Sequence, residues 1–116
     1  MNSILLAHGS GGKLQSELIE NIILKHFNSP VLKLLEDSAV LKEKVAFTTD
    51  SFVVKPVFFP GGDIGKLAIA GTVNDILCSG ARPVYISLSL IIEEGFSIDK
   101  LESILDSAKC EAKRAG

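Results

Sequence analysis

A chain of 116 residues has the length of one small domain, enough to enclose a hydrophobic core. Its 47% hydrophobic and 22% charged residues, with six Phe and no Trp, exclude a disordered or low-complexity chain and describe a globular domain with an aliphatic interior. Twelve basic against fourteen acidic residues leave a formal charge of −2, so neither nucleic acid nor an anionic membrane surface is an expected partner.

The first apolar stretch, Ile4-Leu5-Leu6-Ala7, reads as a short strand and is cut off by His8-Gly9, too early for a signal peptide. No apolar run approaches the ~20 residues of a membrane span, and a cytoplasmic protein is the default expectation. Three glycines fall within Gly9-Ser10-Gly11-Gly12, directly before a helix, where inward-turned amides could nest an anion with Lys13 adding charge. The run is not a P-loop, which would need Gly at Ala7 and Ser or Thr at Leu14. A flexible helix entry fits the spacing equally well.

Leu14 to Phe27 has helical periodicity, with Leu14, Leu18 and Ile22 on one row and Ile19, Ile23 and Phe27 on the next. His26 borders that stripe as a core-edge residue. Asn28-Ser29-Pro30 ends it, because proline disfavours a helical residue before it. Strand patterns follow at Val31–Leu35, Ala39–Leu41, Val45–Thr49 and Phe52–Val57. Asp37 and Asp50 stand at strand ends that a hairpin could bring together, where two carboxylates would suit Mg2+; turn residues bonding their own backbone would look the same.

The loop Phe58-Phe59-Pro60-Gly61-Gly62 leads to Asp63, placed to N-cap a helix from Ile64. Lys66 in its first turn opposes the helix dipole unless an anion lies near. Further along, Ala68, Gly71, Thr72, Asp75 and Ser79 share one narrow side of small residues. No Lys or Arg lies between Leu67 and Ala81, so Asp75 is either answered by a cation from elsewhere, or a metal-bound ligand, or is solvated or bonded to nearby backbone.

Gly80-Ala81-Arg82-Pro83 closes the helix, and Val84–Ile92 is the clearest strand pattern: Val84, Ile86, Leu88, Leu90 and Ile92 toward a core, Tyr85, Ser87, Ser89 and Ile91 toward a half-wet surface. Ser97 caps a last helix to about Arg114, with Ile98, Leu101, Ile104, Leu105 and Ala108 on its buried side. Cys78 and Cys110 lack zinc spacing and read as small buried or half-buried thiols. The non-alternating element order favours an α+β domain with helices on one face of a mixed or antiparallel sheet.

His8-Gly9-Ser10-Gly11-Gly12, Glu36-Asp37-Ser38-Ala39-Val40-Leu41, Thr48-Thr49-Asp50-Ser51-Phe52-Val53-Val54, Phe58 to Ala68, Gly71-Thr72-Val73-Asn74-Asp75-Ile76 and Gly80-Ala81-Arg82-Pro83 occur in this order over nearly the whole chain. Together they resemble the N-terminal, ATP-binding and dimerisation domain of the HypE family of hydrogenase maturation proteins. That family is related to aminoimidazole ribonucleotide synthetase, selenophosphate synthetase and thiamine-monophosphate kinase. The resemblance implies a PurM N-terminal-like fold whose sheet is completed as a barrel across a homodimer. It also implies an ATP-dependent dehydratase that turns a carbamoyl group, carried on a C-terminal cysteine, into a thiocyanate for the cyanide ligands of [NiFe] hydrogenase. Phosphorylation of the carbamoyl oxygen would make it a leaving group, with Mg2+ balancing phosphoryl charge.

Carried over by position, Asp37, Asp50 and Asp75 would hold the metal, while Asp50, Asn74 and Asp75, the loop Gly9, Gly11, Gly12 and Lys13, and Lys66 would contact the nucleotide. The implied partners are a HypF-like carbamoyltransferase and a HypC/HypD-like scaffold. On the same resemblance, residues 1–116 are a fragment: a Gly-Asp-Thr strand, a second domain and the cysteine-bearing tail would follow. Neither Cys78 nor Cys110 takes that cysteine's role. The alternatives are a non-catalytic dimerisation or partner-docking module, or another ATP-dependent member of the superfamily.

Overall fold

The computed structural model describes residues 3–116, which fall into two compact units divided after Glu36. The first unit is helical. A 3-10 turn, Leu6–Gly9, stands where a strand is expected, and Leu5 N–H donates to His8 Nδ1 at 2.9 Å, folding the chain back locally. Helix α1 (Lys13–Leu18) continues through a π-helical turn (Ile19–Ile23) into α2 (Leu24–His26), matching the span expected from periodicity. His26 is exposed rather than at a core edge. Val31–Leu35 is not a strand: Leu32–Leu34 forms a 3-10 turn ended by Leu35 at φ 51°, left-handed backbone that a residue with a Cβ adopts at a steric cost.

The second unit, Asp37–Gly116, is mixed α and β. Strands β1 (Ala39–Val40) and β2 (Ala46–Phe47) pair antiparallel with Ala39 opposite Phe47. Strands β3 (Phe58–Phe59) and β4 (Gly62–Asp63) form a second two-stranded antiparallel hairpin. Helices α3 (Ile64–Cys78) and α4 (Ile98–Ala115) begin as the sequence dictates. The Asp63 carboxylate accepts Lys66 N–H at 3.0 Å, and Ser97 Oγ accepts Lys100 N–H at 3.4 Å. Gly80, at φ 73°, terminates α3 by donating its N–H to Leu77 O.

The two long helices pack on each other around Ile69, Ile104 and Ala108. Gly65 makes the contact close, since a Cβ there would collide with the Ile104 carbonyl. Gly71 is likewise covered by the Phe52 ring, 2.7 Å from where its Cβ would stand. The small-residue side of α3 is therefore a packing face.

One sheet with helices on one face is not what these residues build. Among the described residues the sheets are the two short hairpins, and Val84–Ile92 joins neither. Its expected core side is 45–63% exposed, because a strand buries its face only when neighbours hold its backbone, and none pairs with it here. Ile98 at 73% and Leu105 at 38% are also open, as are Cys78 and Cys110, against the buried positions expected for them.

Candidate functional site

Three acidic positions singled out by sequence, Asp37, Asp50 and Asp75, lie in the second unit. Asp37 is exposed just before β1, and its carbonyl accepts Thr48 Oγ1–H at 3.0 Å, which closes the open end of the β1–β2 hairpin. Asp50, two residues beyond Thr48, is exposed. Its Oδ1 accepts the Ser51 N–H at 2.8 Å, the local bond a turn aspartate makes.

Asp75 is half-buried in the penultimate turn of α3, and its carbonyl accepts Ser79 Oγ–H at 3.4 Å. Ser79 in turn bonds Ser38, whose side chain is buried at 5% exposure. A buried hydroxyl needs a partner, and Ser38 finds it in Ser79. The segment bearing Asp37 and Asp50 is thus clasped to the end of the helix bearing Asp75. Sequence reading did not single out Ser38, Thr48 or Ser79 as functional. The available signal was their adjacency to the aspartates: Ser38 follows Asp37, Thr48 precedes Asp50 by two, and Ser79 is one helical turn after Asp75.

Among the described residues, no group of three or more His, Cys, Asp or Glu side chains is gathered so as to hold a metal ion. A dedicated all-protein cage is therefore not what Asp37, Asp50 and Asp75 form. Mg2+ does not require one, since it is held by one or two carboxylates together with waters and substrate phosphates. The donor set, hard carboxylate oxygens with open Asp37 and Asp50, fits such a shared ion.

Asp50 also borders a groove of about 720 Å³, lined among others by Thr49, Ile69, Thr72, Arg82 and Tyr85. The combination of apolar wall and a few polar groups is typical of small-molecule sites. Asn74 is exposed on α3. Lys66 Nζ donates to Gly61 O at 3.2 Å, so its charge is held over the β3–β4 turn at the start of α3.

In the first unit, Gly11 has φ 78°, and its N–H donates to Gln15 Oε1 at 2.6 Å. That donor is already engaged, so an anion nest that includes Gly11 must displace Gln15. Gly9 and Gly12 are exposed in the same loop, and Lys13 Nζ lies 3.6 Å from Glu17 Oε1. No helix among the described residues is long and apolar enough to cross a membrane.

Residues 35–116 match the family model of the AIR synthase related protein N-terminal domain, and the chain belongs to that family. The chain is 45% identical to the carbamoyl dehydratase HypE of Escherichia coli K12 over 100% of its own length and 37% of that protein. It is 48% identical to a putative hydrogenase expression/formation protein of Methanocaldococcus jannaschii, over 93% of this chain and 35% of the other. A chain of a solved HypE–HypF complex superposes with a TM-score of 0.81 at 48% identity, covering 85% of this chain and 32% of that one. The chain thus spans little more than a third of the curated relatives it matches.

Proposed function

We propose that this chain is the nucleotide-binding part of a HypE-like carbamoyl dehydratase, taking ATP together with Mg2+. What supports the reading is the clasp joining the hairpin of Asp37 and Asp50 to the helix of Asp75, in a chain of this family. One or two of Asp37, Asp50 and Asp75 would hold the ion, with waters and phosphate oxygens completing its coordination. Asn74 and Lys66 would contact the nucleotide. Bound Mg2+ supplies charge neutralisation on the transferring phosphoryl group. The protein's part is to present carboxylate oxygens, and to keep Asp50 accessible beside its groove.

Dehydration of an S-carbamoyl cysteine to a thiocyanate is the reaction proposed for the whole protein, with a HypF-like carbamoyltransferase as partner, as in the solved complex of the relative. A HypC/HypD-like scaffold and a cytoplasmic setting belong to the same reading. Calorimetry of the 116-residue chain with Mg-ATP tests it. Saturable binding weakened at least about tenfold by Asp50→Asn or Asp75→Asn is expected, the loss of one charge-assisted contact being ~1.5–3 kcal/mol. Silence at saturating nucleotide refutes it.

The open stretch Val84–Ile92 favours a second role, in which two copies join to complete a barrel. Sedimentation should show a dimer that Leu88→Lys converts to monomer. A wild-type chain that stays monomeric at high concentration rejects that role.

A further inference from the structure

Three hydroxyl side chains connect the elements on which the candidate magnesium ligands stand. Thr48 Oγ1 donates to Asp37 O, and so joins the segment before β1 to the one after β2. Ser38 Oγ bonds Ser79 Oγ, and Ser79 Oγ reaches Asp75 O one turn back along α3. None of these bonds uses a carboxylate oxygen. Each acts through the backbone, or through a hydroxyl adjacent to an aspartate, and leaves the side chains of Asp37 and Asp75 free to bind. Ser38 is the most buried member, at 5% exposure, so its hydroxyl is screened from water and its bond to Ser79 meets little competition. The paired part of the hairpin is two residues long on each strand, too short to fix its own position against a helix, so the hydroxyl bonds act together with the Phe52 ring that packs on Gly71.

We propose that Ser38, Ser79 and Thr48 are positioning residues that set the spacing between the Asp37/Asp50 hairpin end and Asp75 on α3, and thereby the affinity for nucleotide-bound Mg2+. This rests on the nucleotide reading above. A magnesium ion with near-ideal octahedral demands tolerates little displacement between carboxylates contributed by different elements. Loosening the clasp therefore penalises metal binding while sparing contacts that do not involve the metal. Ser38 and Ser79 act through one shared bond, so removing either removes most of the effect of both.

The test is calorimetric titration of ATP into the 116-residue chain over a series of fixed MgCl2 concentrations, with melting temperature recorded for every variant. Ser38→Ala and Ser79→Ala are each expected to raise the Mg2+ midpoint about fivefold, the scale of one lost hydrogen bond, with metal-free ATP affinity unchanged. The double variant should be no worse than the single ones, and Ser79→Thr, which keeps the hydroxyl, should restore the midpoint. An unchanged midpoint in both alanine variants, where Asp75→Asn does raise it, overturns the positioning role and leaves the nucleotide reading standing. If Asp75→Asn also leaves it unchanged, the magnesium reading fails and this inference with it. Should the serine variants not fold, Thr48→Val carries the test: it removes only the bond to Asp37 O at a half-exposed site, and a midpoint equal to wild type overturns the proposal.

Discussion

Helices α3 and α4 and the stretch Val84–Ile92 are all rich in aliphatic residues, yet only the helix pair encloses a core. A helix satisfies its backbone within itself, so α3 and α4 need only a complementary face, which Ile69, Ile104, Ala108 and the close approach at Gly65 provide. A strand satisfies its backbone only on a neighbour. Val84–Ile92 keeps the alternation its sequence encodes, with Ile86, Leu88, Leu90 and Ile92 at 45–48% exposure and Tyr85 and Ile91 at 97% and 103%, but it has no ladder. The same residue types therefore stabilise one region and leave the other as an open surface. Burial follows from hydrogen-bond partners as much as from hydropathy.

The sharpest way to break that comparison is to truncate one isoleucine in each region. Ile104→Ala removes a side chain at 6% exposure from the α3–α4 contact and should cost about 3 kcal/mol, through lost transfer energy and the cavity left behind. Ile91→Ala, at a fully exposed position, should fall within about 0.5 kcal/mol of wild type. Urea unfolding of both variants measures the difference, and equal losses would mean that Val84–Ile92 is buried in solution.

A smaller effect is expected at Gly65. Adding one methyl there meets the Ile104 carbonyl, which belongs to helix backbone and cannot rotate away, so Gly65→Ala should destabilise by about 1–3 kcal/mol by the same assay. A neutral result would show that the helices can separate slightly at no cost.

The helices were largely legible in the sequence, because their determinants are local. Asp63 and Ser97 as caps, Gly80 as terminator and the periodicity of Leu14–Phe27 and Ile98–Arg114 all predict elements observed within a residue or two. Strands were legible only where the partner is close in sequence: Ala39–Leu41 and Val45–Thr49 contain the paired β1 and β2, while strands with no local partner were not. Val31–Leu35 has a strand composition but takes a 3-10 turn, and Phe52–Val57 enters no ladder. The candidate site divides along the same line. Asp37, Asp50 and Asp75 could be named from motifs, and the turn bond of Asp50 to Ser51 was foreseeable from adjacent residues. The clasp between Ser38 and Ser79 spans 41 positions and has no local signature, so it became visible only once the chain was folded.

The smallest predicted effect isolates what makes the helical region self-sufficient. The Asp63 side chain, at 5% exposure, accepts the Lys66 N–H, one of the amides that the first turn of α3 cannot satisfy internally. Asp63→Ala leaves that donor without its partner and should cost about 1 kcal/mol, whereas Asp63→Asn keeps an acceptor oxygen and should cost only a few tenths. The remaining difference between Asn and Asp is the charge at the positive end of the helix dipole, and added salt should shrink it. Thermal or urea unfolding at low and high ionic strength measures all three. Losses that are equal for Ala and Asn would assign the contribution of Asp63 to its charge rather than its hydrogen bond. In that case α3 would depend on electrostatics at its entry, and its independence from neighbours, the property that separates it from Val84–Ile92, would weaken as salt rises.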